Sequence, residues 1–467
     1  MARNKTEQSG NIMNFIDRIE GDRVVLIIVF MLTLISALAI FSSTSMLAGG
    51  SKDRLDLIRE HAGYIGIGYL LIYVIYKIKS IKVFRVASQF GFILSASLLL
   101  ILDLHLNLGF IRAERINGAY RTLRFLGMQL HVFEIVKVAI VMYFAWALHS
   151  YRQDSEAMAK GKKSPTFKIL NGLSKIDHLE FLSKPLWKRI TYIYMPWLVT
   201  TALVMPGSNS SMFLIGGISL LILLIGRMPF KEIAIIMATG IILLGSCIGI
   251  YYASDKKIFS ETRFDELWTR LTADYSIERL KAIEDDPKLG PKCAEWYEVR
   301  DEIKQPYSAK IAIHEGGLIG KLSGNSTQKY VVAHIYSDYM YSFIIEEYGL
   351  WGGIIVLMLF VSLLARGSFI AKLCHHDFAK YAVGGLSLLI SGQAFLHICV
   401  NVELFPMTGQ TLPMISDGSF AFLIFCIAFG IILSISRMAN KQIREEQEAA
   451  QALYQSTKEN EQIENQQ

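Results

Sequence analysis

Long apolar runs constrain this chain more than any other feature of its sequence. Stretches of about 17–25 apolar residues are long enough to cross a hydrocarbon layer of roughly 30 Å as a helix. In lipid, an isolated segment satisfies its own backbone hydrogen bonds only as a helix. The runs cover about residues 24–47, 61–79, 87–106, 131–149, 190–205, 210–226, 231–252, 339–365, 381–402 and 416–436. The sequence therefore predicts an all-α, polytopic membrane protein with about ten transmembrane helices and one large extracytoplasmic loop.

Composition excludes several other classes of protein. Hydrophobic residues make up 52% of the 467 residues and charged residues only 19%, below the roughly 25% typical of soluble domains. A soluble enzyme and a nucleic-acid binder are both excluded, and no nucleic-acid partner is expected. The sequence contains no HExxH, CxxC, P-loop or GxSxG motif, so metalloprotease, redox, ATPase and serine-hydrolase functions lack support.

Basic residues predict the orientation of the chain in the membrane. Lys and Arg concentrate before the first run, after the second and in the loop 150–189, as they do on the cytoplasmic side. The predicted organisation is a cytoplasmic segment 1–22, a transmembrane domain 23–437 with an extracytoplasmic loop 253–338, and a polar cytoplasmic tail 438–467. The first run is expected to be a retained anchor, residues 261–286 a surface helix, and the tail solvated and partly disordered.

One short outer loop, 107–130, departs from the charge rule. It carries four arginines on the side that should be poor in them: Arg112, Arg115, Arg121 and Arg124. An anionic ligand at the outer surface would explain them, because the planar guanidinium group matches phosphate oxygens. Just downstream, Glu134 and Lys137 are three residues apart on one helix face. They form either an internal ion pair or part of a site for a phosphate-bearing lipid.

A second polar cluster lies where the large outer loop enters the eighth run. Ser337 or Asp338 is predicted to cap that helix, and the helix dipole would keep the Asp338 carboxylate ionised and able to accept a proton. Further along the same helix, Glu346 and Glu347 are adjacent carboxylates at membrane depth. At least one of them should point into the helix bundle, because an ionised group is costly in lipid.

The third cluster is the segment between the last two runs, "ELFPMTGQTLPMISDGS". Its prolines and glycines predict a structured, non-helical segment, which is tolerated at membrane depth only where protein or a wet cavity surrounds it. His397, Asn401, Glu403 and Asp417 add polar groups in or next to this segment. The histidine is more typical of an interhelical hydrogen bond than of a metal ligand.

These three clusters, in this order, resemble the SEDS family, the relatives of FtsW and RodA. "LFPMTGQTLPMISDGS" is similar to the most specific motif of that family, and "IAIHEGGLIGKLSGNSTQK" and "SDYMYSFIIEEYG" to two others. The stretch "TGQTLP" favours the division-type FtsW branch over the elongation-type RodA branch. The chain departs from the family pattern at Pro206-Gly207, where an acid is missing, and at Asp417, where an aromatic or basic residue is commoner.

The resemblance implies a peptidoglycan glycosyltransferase that polymerises lipid II at the outer face of the bacterial cytoplasmic membrane. Asp338 would be the catalytic base in an inverting transfer, and an unidentified divalent cation such as Mg²⁺ or Mn²⁺ is possible at the pyrophosphate. A class B penicillin-binding protein and other division proteins are the implied partners. The alternatives are a RodA-like polymerase, a lipid II flippase or transporter, and a non-catalytic scaffold. Substrate contacts are expected at Arg121, Arg124, Glu134, Lys137, Glu346, Thr408, Gly409, Pro413 and Ser416.

Overall fold

The computed structural model describes most of the chain in a single, largely helical arrangement. The described residues are 20–43, 54–107, 109, 111–116, 119–125, 128–161, 166–176, 178–253, 277–286, 293–332 and 335–464. Its α-helices are α1 (Arg23–Ser43), α2 (Arg54–Tyr76), α3 (Ile81–Asp103), α4 (Val132–Ala159), α5 (Lys168–Leu173), α6 (Pro185–Arg189), α7 (Met195–Val204), α8 (Asn209–Ile225), α9 (Phe230–Ala253), α10 (Ile277–Asp285), α11 (Ala294–Gly316), α12 (Met340–Leu373), α13 (Asp377–Asn401) and α14 (Ser419–Glu464).

Every predicted run overlaps helical structure among the described residues. Within the described residues, six helices are long and apolar enough to cross a membrane, namely α1, α3, α4, α12, α13 and α14, and α8 is a shorter apolar helix. The fifth run begins as a π-helical turn, Ile190–Tyr194, that leads into α7 with Pro196 near its start. Proline has no N–H to donate to the carbonyl four residues earlier, and that carbonyl, Tyr192 O, accepts from the Tyr143 hydroxyl at 3.1 Å. The predicted polytopic helical fold is confirmed.

Helix α4 lies near the centre of the bundle. It packs against α3, α8 and α13, while α13 also packs against α12, and α14 packs along α2. Most of the side chains of α4 between Val132 and Ser150 are buried, including the ammonium group of Lys137. A residue on α4 can therefore contact several other helices, which gives the Glu134–Lys137 pair a central position.

The outer loop before α4 is a small antiparallel sheet, which the all-α prediction did not include. Its strands are β1 (Ile111–Ile116), β2 (Ala119–Phe125) and β3 (Met128–His131), in the order β1-β2-β3. Strand β2 pairs with both neighbours, with Arg124 opposite Arg112 on one side and Gln129 on the other. This segment is the loop that connects α3 and α4, so it need not be helical as a membrane span must. Its alternating polar and apolar residues suit an antiparallel sheet with one solvated face.

Helix α12 is broken near its start, at Gly349, where the backbone has φ 72° and ψ −178°. The segment after α11 packs against this break. The N–H groups of Lys321 and Leu322 donate to the carbonyl oxygens of Glu346 and Glu347, and Leu350 N–H donates to Gly317 O, all at 2.9 Å. The carbonyl groups released by the break are therefore satisfied inside the protein, as membrane depth requires.

The polar tail after residue 437 and the predicted surface helix at 261–286 were two further expectations from the sequence. Helix α14 continues through the polar tail to Glu464, so the expectation of partial disorder is wrong for residues 438–464. Glu, Gln, Ala and Lys are good helix formers, and pairs such as Lys441–Glu445 add support at i, i+4. The predicted surface helix at 261–286 lies largely outside the described residues, which contain its end as α10.

Candidate functional site

The loop between α13 and α14 packs against the segment that precedes α12. Ser416 Oγ donates to Ser337 O at 2.8 Å, and the N–H of Asp417 donates to Tyr336 O at 2.9 Å. Ser416 Oγ also accepts from the N–H of Leu412 at 2.9 Å, which fixes the turn. The structure thus joins the second and third polar clusters of the sequence into one site.

Asp338 lies at this junction, and its side chain is partly exposed. Ser337 Oγ donates to Asp338 Oδ1 at 2.8 Å, and Asn401 Nδ2 donates to the Asp338 backbone oxygen at 3.1 Å. On the opposite loop, Gly409 has φ +61°, and a Cβ placed there would be 4.0 Å from Asp338 Oδ2. The carboxylate is therefore reachable from outside and lies beside backbone that carries no side chain.

The predicted capping role of Ser337 or Asp338 is wrong. Helix α12 begins at Met340, and its N-cap residue is Tyr339, which makes no side-chain cap hydrogen bond. Asp338 is one residue too early in the chain to reach the first N–H groups of the helix in the usual way. Its carboxylate group instead belongs to the loop junction.

Lys137 holds three elements together. Its Nζ donates to Glu134 Oε1 at 2.6 Å, to Gln393 Oε1 at 2.9 Å and to Gln410 Oε1 at 2.7 Å. The lysine is fully buried, so burial of its charge is tolerable only because every donor has a partner. Of the groups expected to touch substrate, Lys137 is thus occupied by the protein itself, and we assign it a positioning role between α4, α13 and the α13–α14 loop.

Gln410 and Gln393 extend this network, and both were missed from the sequence. Gln410 Nε2 donates to the hydroxyl oxygens of Ser210 and Ser211 at 2.9 and 3.1 Å, and Gln393 Nε2 donates to Thr411 O at 3.0 Å. Ser210 Oγ in turn donates to the carbonyl oxygen of Thr408 at 2.7 Å. A glutamine inside an apolar run, such as Gln393 in 381–402, is a sequence signal that could have identified this network, because an amide group at membrane depth needs a partner on a neighbouring element.

The remaining motif residues of the loop differ in exposure. Pro413 and Ser416 are buried, Thr408 is half-buried, and Gly409 is exposed. The buried pair shapes the loop, whereas Gly409 lies beside Asp338.

Arg121 approaches the same region from the sheet. Its Nε donates to Gly207 O at 3.2 Å. Gly207 has no space for a side chain, since a Cβ would lie 2.7 Å from Tyr120 O and closer still to Phe133. The family pattern has an acidic residue after Pro206, where this chain has Gly207. Here the backbone carbonyl group of Gly207 accepts the hydrogen bond from Arg121.

The charges of Arg121, Glu134 and Lys137 all act on the ring of His131. This places the three charged groups within electrostatic range of one point at the end of β3. Glu134 Oε2 is buried without a hydrogen-bond partner among the described residues. The first polar cluster is therefore a mixed-charge group whose one unused acceptor belongs to Glu134.

Arg124 is not part of this group. Its side chain is 56% exposed and its Nη1 pairs with Glu114 Oε1 at 3.0 Å. Residues 121 and 124 are an odd number of positions apart on β2, so their side chains leave opposite faces of the sheet. The pairing of the two arginines in one phosphate site, which the sequence suggested, is not found.

Glu346 and Glu347 are both fully buried, as the sequence predicted for at least one of them. Glu346 Oε1 accepts from Lys321 Nζ at 3.0 Å and from the N–H of Thr327 at 2.8 Å. Glu347 Oε1 accepts from Ser42 Oγ at 2.5 Å and from the N–H of Gly324 at 2.9 Å. The expected substrate contact of Glu346 is not supported, because its carboxylate is enclosed and anchors the loop 321–330.

Two carboxylates lie around Tyr336. Burial, followed by the charges of Asp417 and Asp338, raises the pKa of its phenol above the usual value. The described residues contain no group of three or more His, Cys, Asp or Glu side chains suited to hold a metal ion. Mg²⁺ is often bound by one or two carboxylates together with water and substrate phosphates, and Asp338 and Asp417 are the carboxylates of this junction that would help to hold such an ion.

Comparison with solved structures shows the same fold in two proteins. The chain in "Structural coordination of polymerization and crosslinking by a peptidoglycan synthase complex" matches with a TM-score of 0.56 and 16% identity, over 90% of this chain and 98% of that one. The rod shape determining protein RodA of Thermus thermophilus matches with a TM-score of 0.52 and 16% identity, over 90% of this chain and 98% of that one.

Sequence relatives agree with this fold. The probable peptidoglycan glycosyltransferase FtsW of Coxiella burnetii is 25% identical over 81% of this chain and 85% of its own length. The peptidoglycan glycosyltransferase MrdB of Escherichia coli (strain K12) is 32% identical over 36% of this chain and 44% of its own. The family model for FtsW, RodA and SpoVE, described as "Cell cycle protein", matches residues 22–441. This chain belongs to the FtsW, RodA and SpoVE family.

Proposed function

We propose that this chain is a peptidoglycan glycosyltransferase that polymerises lipid II into glycan strands, of the FtsW type. The names of its sequence relatives support the activity. One geometric observation carries the proposal: the partly exposed Asp338 carboxylate, at the junction of two loops beside the bare backbone of Gly409. That arrangement leaves room for a sugar hydroxyl to approach the carboxylate.

In the proposed reaction, Asp338 acts as general base. It removes the proton from the acceptor sugar's hydroxyl, whose oxygen attacks the anomeric carbon of the donor with inversion. The bond between that carbon and the pyrophosphate oxygen breaks, and undecaprenyl pyrophosphate leaves. Because pyrophosphate leaves as an anion, the site needs a cation near it rather than a second, protonated carboxyl group.

Arg121 is the protein cation best placed for that role. It is half-buried, its Nε donates to Gly207 O at 3.2 Å, and its charge acts on His131 together with those of Glu134 and Lys137. A divalent cation, if bound at Asp338 and Asp417, would supply further charge for the phosphates. Both assignments use groups around the same loop junction.

We further propose that the site faces the outside of the bacterial cytoplasmic membrane, with both ends of the chain in the cytoplasm. The distribution of basic residues supports this orientation. A class B penicillin-binding protein is the proposed partner, because one structural relative comes from a peptidoglycan synthase complex. Other proteins of the division machinery are proposed on the FtsW resemblance.

The test is polymerisation of labelled lipid II by the purified chain in proteoliposomes, with its penicillin-binding partner present. Asp338→Asn should fold and insert normally but polymerise about 10²–10⁴-fold more slowly, the usual contribution of a general base. Asp301→Asn is the matched control, because Asp301 lies on α11 with its side chain 63% exposed. It should leave the rate unchanged.

Three results would contradict the proposal. If Asp338→Asn polymerised lipid II at the native rate, Asp338 would not be the general base. Translocation of lipid II across the bilayer without polymer would favour a flippase. A chain that recruits its partners but shows neither activity would be a scaffold.

A further inference from the structure

The start of α12 is not capped by the residue that precedes it. The first N–H groups of a helix have no partner within the helix, and a side-chain oxygen of the N-cap residue usually accepts from the second or third of them. Tyr339 occupies the N-cap position of α12 and makes no such hydrogen bond. The first helical residues, Met340, Tyr341 and Ser342, are buried. An N–H group left there without an acceptor would be costly.

Asn401 supplies an acceptor from another helix. Its Oδ1 accepts from the N–H of Ser342 at 3.0 Å and from Ser342 Oγ at 2.9 Å. Ser342 is the third residue after the N-cap, and its N–H is one that a capping oxygen normally takes. Asn401 is the last residue of α13. The cap of α12 therefore comes from the end of α13.

The same amide group also holds the main chain of Asp338. Asn401 Nδ2 donates to Asp338 O at 3.1 Å and to His397 O at 2.9 Å. An asparagine side chain has two N–H donors and an oxygen with two lone pairs, so all four of its hydrogen bonds are made. Asn401 is fully buried. One planar group thus fixes the carbonyl of Asp338 and the first turn of the helix that follows it.

Helix packing alone does not account for this arrangement. Polar side chains between membrane helices commonly form interhelical hydrogen bonds, and Ser391 on the same helix is an example, since its Oγ donates to Phe360 O at 2.9 Å. The partners of Asn401 instead lie on both sides of the turn that carries Asp338. Asn401 also begins the loop that brings Gly409 beside Asp338 Oδ2. Its position therefore relates the carboxylate to that loop.

We propose that Asn401 is a positioning residue for the general base, an inference that rests on the proposed glycosyl transfer. Asn401 holds the main chain of Asp338 at a fixed place relative to the α13–α14 loop, so that the carboxylate meets the acceptor hydroxyl in a productive geometry. Reaction rates are sensitive to such placement, and an error of about 1 Å can cost about 100-fold. Because Asn401 is enclosed, it acts through Asp338 and not on the substrate.

The experiment measures polymerisation of labelled lipid II by full-length variants in proteoliposomes, with the penicillin-binding partner present. Asn401→Leu removes both the cap and the hydrogen bond to Asp338 O. Asn401→Asp keeps an oxygen that can cap α12, but its carboxylate has no N–H group for Asp338 O. Ser391→Ala is the matched control, because it removes a buried hydrogen bond between the same two helices at a place remote from Asp338 in both.

We expect kcat to fall about 10- to 100-fold in both Asn401 variants. The KM for lipid II should stay within twofold of the native value, because the base is displaced while the substrate contacts are kept. Ser391→Ala should polymerise at the native rate. A native kcat in either Asn401 variant, or an equal loss in Ser391→Ala, overturns the proposal. A rise in KM with unchanged kcat overturns it as well.

Hydrogen exchange at residues 339–345 tests the same contact without reference to activity. Loss of the cap should speed exchange there about 2- to 30-fold in Asn401→Leu, whereas Ser391→Ala should exchange as the native chain does. Unchanged exchange in Asn401→Leu would show that Asn401 does not hold this turn and would overturn the inference. A native chain that made no polymer would instead overturn the proposed function, whatever the exchange rates are.

Discussion

Arg121 and Arg124 are three residues apart, yet the structure gives them different surroundings. Arg121 lies between the sheet and Gly207, near Glu134 and Lys137, whereas Arg124 is exposed and paired with Glu114. A sequence pattern of two arginines cannot separate these positions, because the distinction depends on which face of β2 each side chain occupies. The two residues therefore form a natural pair of test and control.

Arg121→Gln should weaken the use of lipid II. A hydrogen bond to a charged group is worth about 1.5–3 kcal/mol, so we expect roughly 10- to 100-fold higher lipid II concentration for half-maximal polymerisation. Arg124→Gln should change it less than twofold, because an exposed ion pair contributes about 0–1 kcal/mol. Initial rates over a range of lipid II concentrations in proteoliposomes provide the measurement. Equal effects of the two substitutions would show that the difference between their surroundings has no role in binding.

At the scale of elements, the α13–α14 loop is held against α4 by a buried cation. Lys137 connects Glu134, Gln393 and Gln410. Breaking a buried ion pair by removing one partner leaves an uncompensated charge. The position of Gly409 beside Asp338 therefore depends on a group that is itself enclosed.

Lys137→Met should be strongly destabilising, by about 3–5 kcal/mol, because the Glu134 carboxylate loses its partner. The double substitution Lys137→Met with Glu134→Gln should recover much of that stability, since the unpaired charge is gone. Thermal unfolding of the purified variants in detergent measures both effects. If the double variant were no more stable than Lys137→Met alone, charge compensation would not be the reason for the loss.

The break in α12 is a second element-scale feature. Gly349 has φ 72°, and a Cβ there would meet Leu318 O at 2.3 Å. Side chains are strained in this backbone region, and the close approach of the loop after α11 adds a steric clash. The pairing of Lys321 and Leu322 with the released carbonyl groups depends on that approach.

Gly349→Ala should destabilise the protein by about 1–3 kcal/mol, the usual cost of a strained backbone position. Gly217→Ala is the control, because Gly217 lies within α8 and a Cβ there has nothing within 4 Å. Alanine in a helix interior should be neutral or stabilising by about 0.5–1 kcal/mol. Unfolding temperatures of the two variants are compared under the same conditions, and a similar loss in both would refute the explanation from backbone strain.

On the scale of the whole molecule, two polar regions lie at opposite ends of one helix bundle. The candidate catalytic junction precedes α12, and Arg366 near the end of the same helix pairs with Asp22 just before α1. Because α12 is long enough to cross a membrane, its two ends face different compartments. The side proposed for each end rests on the distribution of basic residues.

Reporter fusions after Gln467 test that orientation in bacterial cells. A green fluorescent protein fused there should be fluorescent, and alkaline phosphatase fused there should be inactive, because the proposed orientation puts this end in the cytoplasm. A fusion to the loop 253–338 should give the opposite pattern. An active phosphatase at residue 467 would reverse the proposed orientation.

Much of this architecture could be read from local patterns. The apolar runs predicted the positions of the helices, and the short motifs around Asp338 and Pro413 identified the family. Both properties are carried by contiguous residues, so no folded structure is needed to recognise them. The small sheet 111–131 and the helical tail were missed, because their sequences are polar and carry no run of the length that indicates a membrane helix.

The roles of individual charged residues required the tertiary structure. Glu346 and Lys137 look like ligand groups in the sequence, but their partners come from residues 321–328 and from Gln393 and Gln410. The sequence by itself determined which segments enter the membrane, because the transfer of apolar groups from water depends on composition and length. Only the tertiary structure decided which charged groups are enclosed and satisfied by the protein, as Glu346 and Lys137 are, and which remain partly exposed, as Asp338 does, because hydrogen bonding depends on groups brought together from distant segments.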